Sequence, residues 1–263
     1  MTEYGYTLST VTKRMDIMRA FTYIVLSVLV IGLNANAAMN SNKVELQDVV
    51  SKIAPGAIID AVQPSKLPGF NDVLISGQNL FISNDGKYVI LGSVLDLSQP
   101  QGQWELGTNL LQEYRVQVMS SLPGLLVYKP KIKAKARVMV FTDIDCPTCE
   151  RFHNDVNKLL DAGIEVDYVA FPRHGIGSDS YYKAVSVWCA KDQQAAMSLA
   201  MSNSTIAKAT CNNPIEKHVQ AGVALAIRGV PSYVFENGKI AMGYMQVQQL
   251  AQLAIENGKG GKL

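Results

Sequence analysis

Apolar and polar positions along this chain fall into short blocks, and their period changes near the middle. From Lys43 to Ile53 (KVELQDVVSKI) apolar residues recur at roughly helical spacing, and Pro55-Gly56 ends the run. After Pro64 and Pro68-Gly69 come strand-like runs, DVLIS, NLFIS and KYVILGSVLDL, separated by Ser76-Gly77 and Asn84-Asp85-Gly86. An Asp-Gly pair between β-rich runs predicts a hairpin. Leu110 to Met119 (LLQEYRVQVM) reads as a helix with Thr108 or Asn109 as its cap. Lys129 to Arg137 (KPKIKAKAR) then alternates charge with small residues. A solvated connector suits that pattern better than a polyanion site, and it marks a domain boundary.

The second half reads differently. RVMVFTD (137–143) is a buried strand, and a helix follows from Pro147 to about Ala162, stopped by Gly163. IEVDYVAF (164–171) is a second strand, ended by Pro172. Three helical stretches lie between Ser178 and Ile227. PSYVFEN and KIAMGY form a hairpin across Asn237-Gly238, and Gln246 to Glu256 closes with a helix. The order β-α-β, helical insert, β-β-α is that of the thioredoxin fold, so the chain reads as α+β. The first half, a meander of about 60 residues with one helix, makes a poor core alone, because such small domains bury only about 60% of their unfolded surface. A self-pairing edge strand would supply a partner.

One segment belongs to neither half. Ala20 to Leu33 (AFTYIVLSVLVIGL) is apolar, preceded by Lys13, Arg14 and Arg19 and followed by Ala35-Asn36-Ala37. Basic flank, apolar core and small-x-small ending describe a secretory signal peptide cut after Ala37. Met18 is an alternative start, since Glu3 and Asp16 sit poorly in a basic leader. The competing reading is an uncleaved membrane anchor, but a bilayer span needs roughly 20 apolar residues. With 48% hydrophobic and 17% charged residues the chain as a whole is ordinary for a folded protein. A formal charge of +2, evenly spread, argues against a nucleic-acid partner.

Export changes how the four cysteines are read, since thiols outside the cytosol tend to oxidise. Cys146 and Cys149 stand two residues apart in FTDIDCPTCERFH, where strand gives way to helix. Zinc would need two further ligands. Cys189 and Cys211 are 22 positions apart and His153, His174 and His218 show no ligand spacing, so neither a metal nor another cofactor is expected. A disulfide within CxxC closes too small a loop to stabilise much. The redox reading has a mechanism. With Pro147 at the first helical position, Cys146 meets unpaired amides and the positive end of the helix dipole, which favour a thiolate. Cys146 is then the exposed nucleophile. Cys149, one turn on, faces inward and resolves a mixed disulfide, with Pro147 and Thr148 tuning the balance.

Gly229-Val230-Pro231 opens a strand downstream. In proteins of this order a proline there is cis and lies against the CxxC, leaving the Val230 backbone free to pair with an extended substrate. An ordinary trans proline at a strand start is the alternative. Cys189 (VWCAKD) and Cys211 (ATCNNP) fall in the helical insert, where export favours a disulfide over two buried free thiols.

At these residues the chain resembles the bacterial periplasmic disulfide isomerases of the DsbC/DsbG type. The words that carry it are FTDIDCPTC, DYVAFPRHG, VWCAKD and GVP, with the leader and the stretches LFISNDGKYVILGSVLDL and LLVYKP. The resemblance covers about residues 44 to 256. It implies a signal peptide (1–37), a cystatin-like N-terminal dimerisation domain (38–106), a linker helix and connector (107–135) and a thioredoxin-like catalytic domain (136–263). It also implies a V-shaped homodimer around an uncharged cleft, kept reduced by a DsbD-type membrane reductase and acting on unfolded or misoxidised exported proteins. Cys146 would attack, Cys149 resolve, Val230-Pro231 pair with substrate, and Cys189–Cys211 form a structural bridge. Isomerisation of wrong disulfides in the periplasm is the leading expectation. The alternatives are a DsbG-like reductase of oxidised single cysteines and a holdase chaperone with secondary redox activity. Three departures stand out. The dipeptide is Pro-Thr, whereas these relatives carry tyrosine second. Val230 replaces a threonine usual in DsbC-type members, and Asp145 opposes thiolate formation at Cys146 if it points at the sulfur. Pro123-Gly124 would also shorten the linker helix.

Overall fold

The computed structural model describes residues 45–101 and 103–258. The leader, with its cleavage point after Ala37 and the alternative start at Met18, lies outside the described residues. Two compact units divide between Gly56 and Ala57. The described part of the first holds helix α1 (45–53), with Leu46 and Val50 buried one turn apart.

The second unit begins with a four-stranded antiparallel meander, ordered β1 (Ala61–Pro64), β2 (Phe70–Ile75), β3 (Gln78–Ser83) and β4 (Val89–Ile90). The β2–β3 hairpin turns on Ser76 and Gly77, at φ 48° and 71°. Two positive values in a two-residue loop give the twist that matches the flanking strands. A Cβ on Gly77 would lie 2.5 Å from the Ala224 carbonyl, so glycine there also permits close approach to the second half. The run KYVILGSVLDL is not one strand. Pairing stops at Ile90, Gly92 adopts φ 147°, and only an isolated Leu95–Glu105 bridge follows. Strand β1 carries no alternating signal and ends in proline. Its place is set by antiparallel pairing of Ala61 with Leu74.

Helix α2 (Thr108–Ser120) starts earlier than its apolar periodicity implies. Its cap is Gly107 at φ 76°, with no side-chain cap, in place of Thr108 or Asn109. The Thr108 hydroxyl donates instead to the Glu105 carbonyl. The helix stops ahead of Pro123-Gly124, and strand β5 (Leu126–Tyr128) follows.

A five-stranded sheet fills the rest, ordered β5, β7 (Ile164–Ala170), β6 (Ala136–Thr142), β8 (Ser232–Phe235) and β9 (Ile240–Met242). Strands β6 and β7 are parallel, and β8 and β9 add antiparallel. Alternate residues serve two cores. Val138, Val140, Val166 and Tyr168 pack with Cys149, Phe152, Leu159, Trp188 and Leu250. Met139, Phe141, Val169 and Val234 pack on the other face with Met119 of α2, Leu225 and Ile227. The expected helix 147–162 is two: α3 (Pro147–Asn154) and α4 (Val156–Asp161). The break falls at Asp155, where amides bond three residues back rather than four. The Asp155 carboxylate accepts from the Tyr244 hydroxyl at 2.7 Å and from Lys158 at 2.7 Å. The insert holds α5 (Asp179–Trp188), α6 (Gln193–Ala200) and α7 (Ile215–Ala224), and α8 (Val247–Glu256) closes the chain. Ser178 and Asp192 cap α5 and α6 by accepting from the Tyr181 and Ala195 amides.

Candidate active site

Strand β6 ends at Thr142, and four residues carry the chain to α3. Their path is held from the side. The buried Asp143 carboxylate accepts the Arg173 amide at 2.9 Å and the Arg173 Nε at 3.0 Å through one oxygen. Its other oxygen accepts the Asp145 amide at 3.0 Å. Arg173 Nη2 donates to the Asp145 carbonyl at 3.1 Å, so one guanidinium grips both sides of Ile144. Cys146 follows as N-cap of α3 at φ −102°, with Pro147 first in the helix. Its carbonyl accepts the Cys149 and Glu150 amides at 2.9 and 3.0 Å.

Both thiols are free. Cys146 Sγ lies 3.0 Å from the Thr148 hydroxyl and 3.7 Å from the Val230 carbonyl. The Val230-Pro231 bond is cis, and it brings that carbonyl against the sulfur. Thr148 and the Val230 carbonyl therefore flank the Cys146 sulfur, with Pro147 and Pro231 next to them in the chain. The exposed nucleophile inferred from sequence is, in this conformation, only 3% exposed, because the Val230 backbone and Thr148 flank it. Burial pushes the Cys146 thiol up, but the Thr148 hydroxyl, the Cys149 amide and thiol and the Arg173 guanidinium outweigh it, and the net shift is downward. Cys149 is fully buried, and burial pushes it up to about 12, helped by the neighbouring Cys146. One sulfur is poised to ionise and the other to hold its proton.

The Asp145 carboxylate takes the Lys183 ammonium at 2.6 Å, so its charge is paired rather than free beside the thiols. Beyond that ion pair a groove of about 580 Å³ runs between Ile144, Tyr182, Ile206 and Lys208. Away from the CxxC, Cys189 and Cys211 form a disulfide with S–S 2.06 Å, joining the end of α5 to the loop before α7. Among the described residues no group of three or more His, Cys, Asp or Glu side chains is placed to hold a metal ion. Sequence reasoning assigned no part to Asp143, Arg173 or Lys183. The signal available was AFPR and FTDID, two polar breaks at the ends of adjacent apolar strands.

A parallel pair with a crossover helix, an antiparallel extension, and a dithiol at that helix's leading end beside a cis proline define a thioredoxin-fold thiol–disulfide oxidoreductase. Comparison with known proteins narrows this. Residues 128–256 match the thioredoxin-like domain family, and residues 35–106 match the disulfide bond isomerase protein N-terminal domain. Thiol:disulfide interchange protein DsbC of Escherichia coli (strain K12) is 32% identical over 202 residues, covering 75% of this chain and 82% of that protein. The protein of the same description from Haemophilus influenzae is 28% identical, covering 72% and 80%. A solved disulfide interchange protein from Neisseria gonorrhoeae is 27% identical with a TM-score of 0.46, over 52% of this chain and 98% of that one. The chain belongs to the DsbC family of thiol:disulfide interchange proteins.

Proposed function

We propose that this protein isomerises incorrect disulfides in exported proteins through Cys146-Pro147-Thr148-Cys149. The observation that carries the reading is the asymmetry of the pair. Cys146 is held below the ordinary thiol range at a helix N-terminus, and its neighbour is pushed up to about 12. The Cys146 thiolate attacks a client disulfide, forming a bond to one client sulfur and expelling the other as thiolate. A second client thiolate then displaces Cys146 with the correct pairing. Should none arrive, Cys149 displaces the client, which leaves reduced while the Cys146–Cys149 pair is oxidised. The Val230 backbone offers an extended client segment a partner, as an added strand. The Cys189–Cys211 bridge is structural.

Work on wrong disulfides requires a reduced pair, supplied by a membrane reductase of the DsbD type, and a periplasmic location, reached by a leader cut after Ala37. The protein acts as a homodimer built on its N-terminal segment. Two things support this: the match of residues 35–106 to an isomerase N-terminal domain, and the exposed apolar residues on either side of β4. There Tyr88, Leu91, Leu95 and Leu97 stand 66%, 73%, 55% and 72% exposed. In this division residues 38–106 pair the protomers, 107–135 connect and 136–263 catalyse, with β5 of the connecting segment joining the catalytic sheet.

The test is refolding of a scrambled disulfide protein by the mature chain and by Cys146→Ser. Rate enhancement that vanishes with the substitution supports the assignment. Equal rates would remove it, and suppression of client aggregation by the inactive variant alone would favour a holdase.

A further inference from the structure

Strands β6 and β7 are parallel neighbours with Thr142 level with Ala170, so their C-terminal ends release two chain segments side by side. One runs through Asp143, Ile144 and Asp145 to Cys146, the other through Phe171 and Pro172 to Arg173. The Phe171 amide donates to the Thr142 carbonyl at 2.7 Å and carries the pairing one step past the strands. Arg173 carries it further. Its amide and Nε meet one Asp143 carboxylate oxygen at 2.9 and 3.0 Å, and its Nη2 donates to the Asp145 carbonyl at 3.1 Å. The Asp143 side chain is fully buried, whereas that of Arg173 is 40% exposed.

The segment held in this way decides where Cys146 stands. Cys146 is the N-cap of α3 but its side chain makes no cap bond, so the thiol does not fix the helix start itself. Its amide instead donates to the Asp143 carbonyl at 3.1 Å, and the Asp145 amide to the second Asp143 carboxylate oxygen at 3.0 Å. Between them Ile144 is buried in the same cluster as both thiols. Asp143 is the hub of this turn, and Arg173 holds the hub from outside. A guanidinium suits the task, because its donors form a rigid planar fork that can meet a carboxylate and a carbonyl together. A lysine ammonium is a point charge on a flexible stem.

We propose that Arg173 is a positioning residue for disulfide exchange: it clamps Asp143 and Asp145 so that Cys146 is presented at the leading end of α3, its sulfur against the Thr148 hydroxyl. This rests on the role proposed above for Cys146. A client joined to Cys146 pulls on the N-cap residue, and the clamp keeps that residue in register with Cys149 one turn on. The charged and titratable groups around Cys146 are Asp143 and Asp145 of its own loop, Cys149 of α3, Arg173 after β7, and Lys183 of α5, which pairs with Asp145. The turn before β8 presents the Val230 carbonyl. Against the burial that raises the Cys146 thiol, the Arg173 charge is among the influences that lower it, so the clamp has to be told apart from charge alone.

Two variants do so. Asp143→Asn with Arg173→Met removes one negative and one positive charge together, which keeps the local sum and loses the clamp. Arg173→Lys keeps the charge and loses the fork. Neither leaves a buried carboxylate without a partner. The experiment is alkylation of Cys146 against pH in the reduced protein, with Cys149 protonated and silent at about 12. In both variants the midpoint should rise by roughly half a unit to one unit, so that alkylation below the midpoint slows about 3- to 10-fold. A midpoint in either variant within about 0.2 unit of the parent overturns the clamp, since charge is then sufficient. Arg173→Lys, at an exposed position, decides the matter even if the double variant does not fold. Refolding of a scrambled disulfide protein by the same samples should slow in step with alkylation. A parent chain that does not isomerise counts against the proposed function, while the alkylation midpoints still judge the clamp.

Discussion

Thr148→Val isolates one hydrogen bond at the nucleophile. Valine matches threonine in shape and lacks the donor, so the substitution removes the hydroxyl 3.0 Å from Cys146 Sγ and little else. A hydrogen bond to a charged group is worth about 1.5–3 kcal/mol net. Thr148 is exposed, so water competes for the sulfur and the lower end applies. At 1.36 kcal/mol per unit, about 1.5 kcal/mol raises the Cys146 pKa by roughly one unit. The hydroxyl donates to the ionised form, so its loss moves the midpoint up. Alkylation rate against pH in the reduced protein measures it, because Cys149, at about 12, stays protonated and silent over the range. Thr148→Ser keeps a donor and should keep the midpoint. A midpoint unmoved in Thr148→Val would refute the argument that this hydroxyl, rather than the helix end or Arg173, holds Cys146 down.

Three further outcomes are expected. His153 and His218 are both lowered to about 4 by burial, whereas an unfolded histidine titrates near 6.5. Between those values the unfolded chain binds more protons than the native one, so stability is full above about 6.5 and is lost as pH falls through about 4, by up to about 3 kcal/mol per histidine. Denaturant midpoints at pH 7 and pH 4.5 measure this, and His218→Gln should flatten the slope. Paired Cys189→Ser and Cys211→Ser substitutions open a loop with a sequence separation of 22. Chemical denaturation should report a loss of about 3 kcal/mol, while Cys146 alkylation stays unchanged. Gly238→Ala should be worse than a left-handed alanine alone. The residue sits at φ 79°, and the new Cβ would lie 2.3 Å from the Gln112 carbonyl of α2, so a thermal melt should show a loss of more than about 1 kcal/mol.

The two central strands of the second sheet were legible because they are buried on both faces and read as mainly apolar runs. RVMVFTD and IEVDYVAF appear within a residue of β6 and β7. Asn237-Gly238 marked the β8–β9 hairpin for an equally local reason. Elements fixed by distant partners were not legible. Strand β5 is three residues long and exists because Leu126, Val127 and Tyr128 pair with β7, some forty positions later. The split of the expected 147–162 helix depends on Tyr244, nearly ninety positions away, which takes the Asp155 carboxylate. Apolar periodicity runs straight through that break, since Phe152, Val156 and Leu159 all face the same core.

The site divides along the same line. Cys146, Pro147, Thr148 and Cys149 are contiguous, and their helix-end chemistry follows from local order. The groups that set their electrostatics come from elsewhere. Arg173 enters after β7, and Lys183 from α5 draws the Asp145 charge aside. Position alone made Asp145 an opponent of the thiolate; the fold turns it into the partner of a lysine. Its backbone carbonyl is, at the same time, one of the anchors that hold Arg173 beside the sulfur. The ion pair with Lys183 thus offsets the charge that the sequence set beside Cys146. Lys183→Met would expose the difference, because an Asp145 carboxylate released from its ion pair can swing toward the helix end. The Cys146 alkylation midpoint should then rise, whereas Lys183→Arg, which keeps the pair, should leave it in place. A midpoint indifferent to Lys183→Met would mean that the loop's backbone bonds to Asp143 and Arg173 already fix the carboxylate, with the lysine contributing nothing to the chemistry.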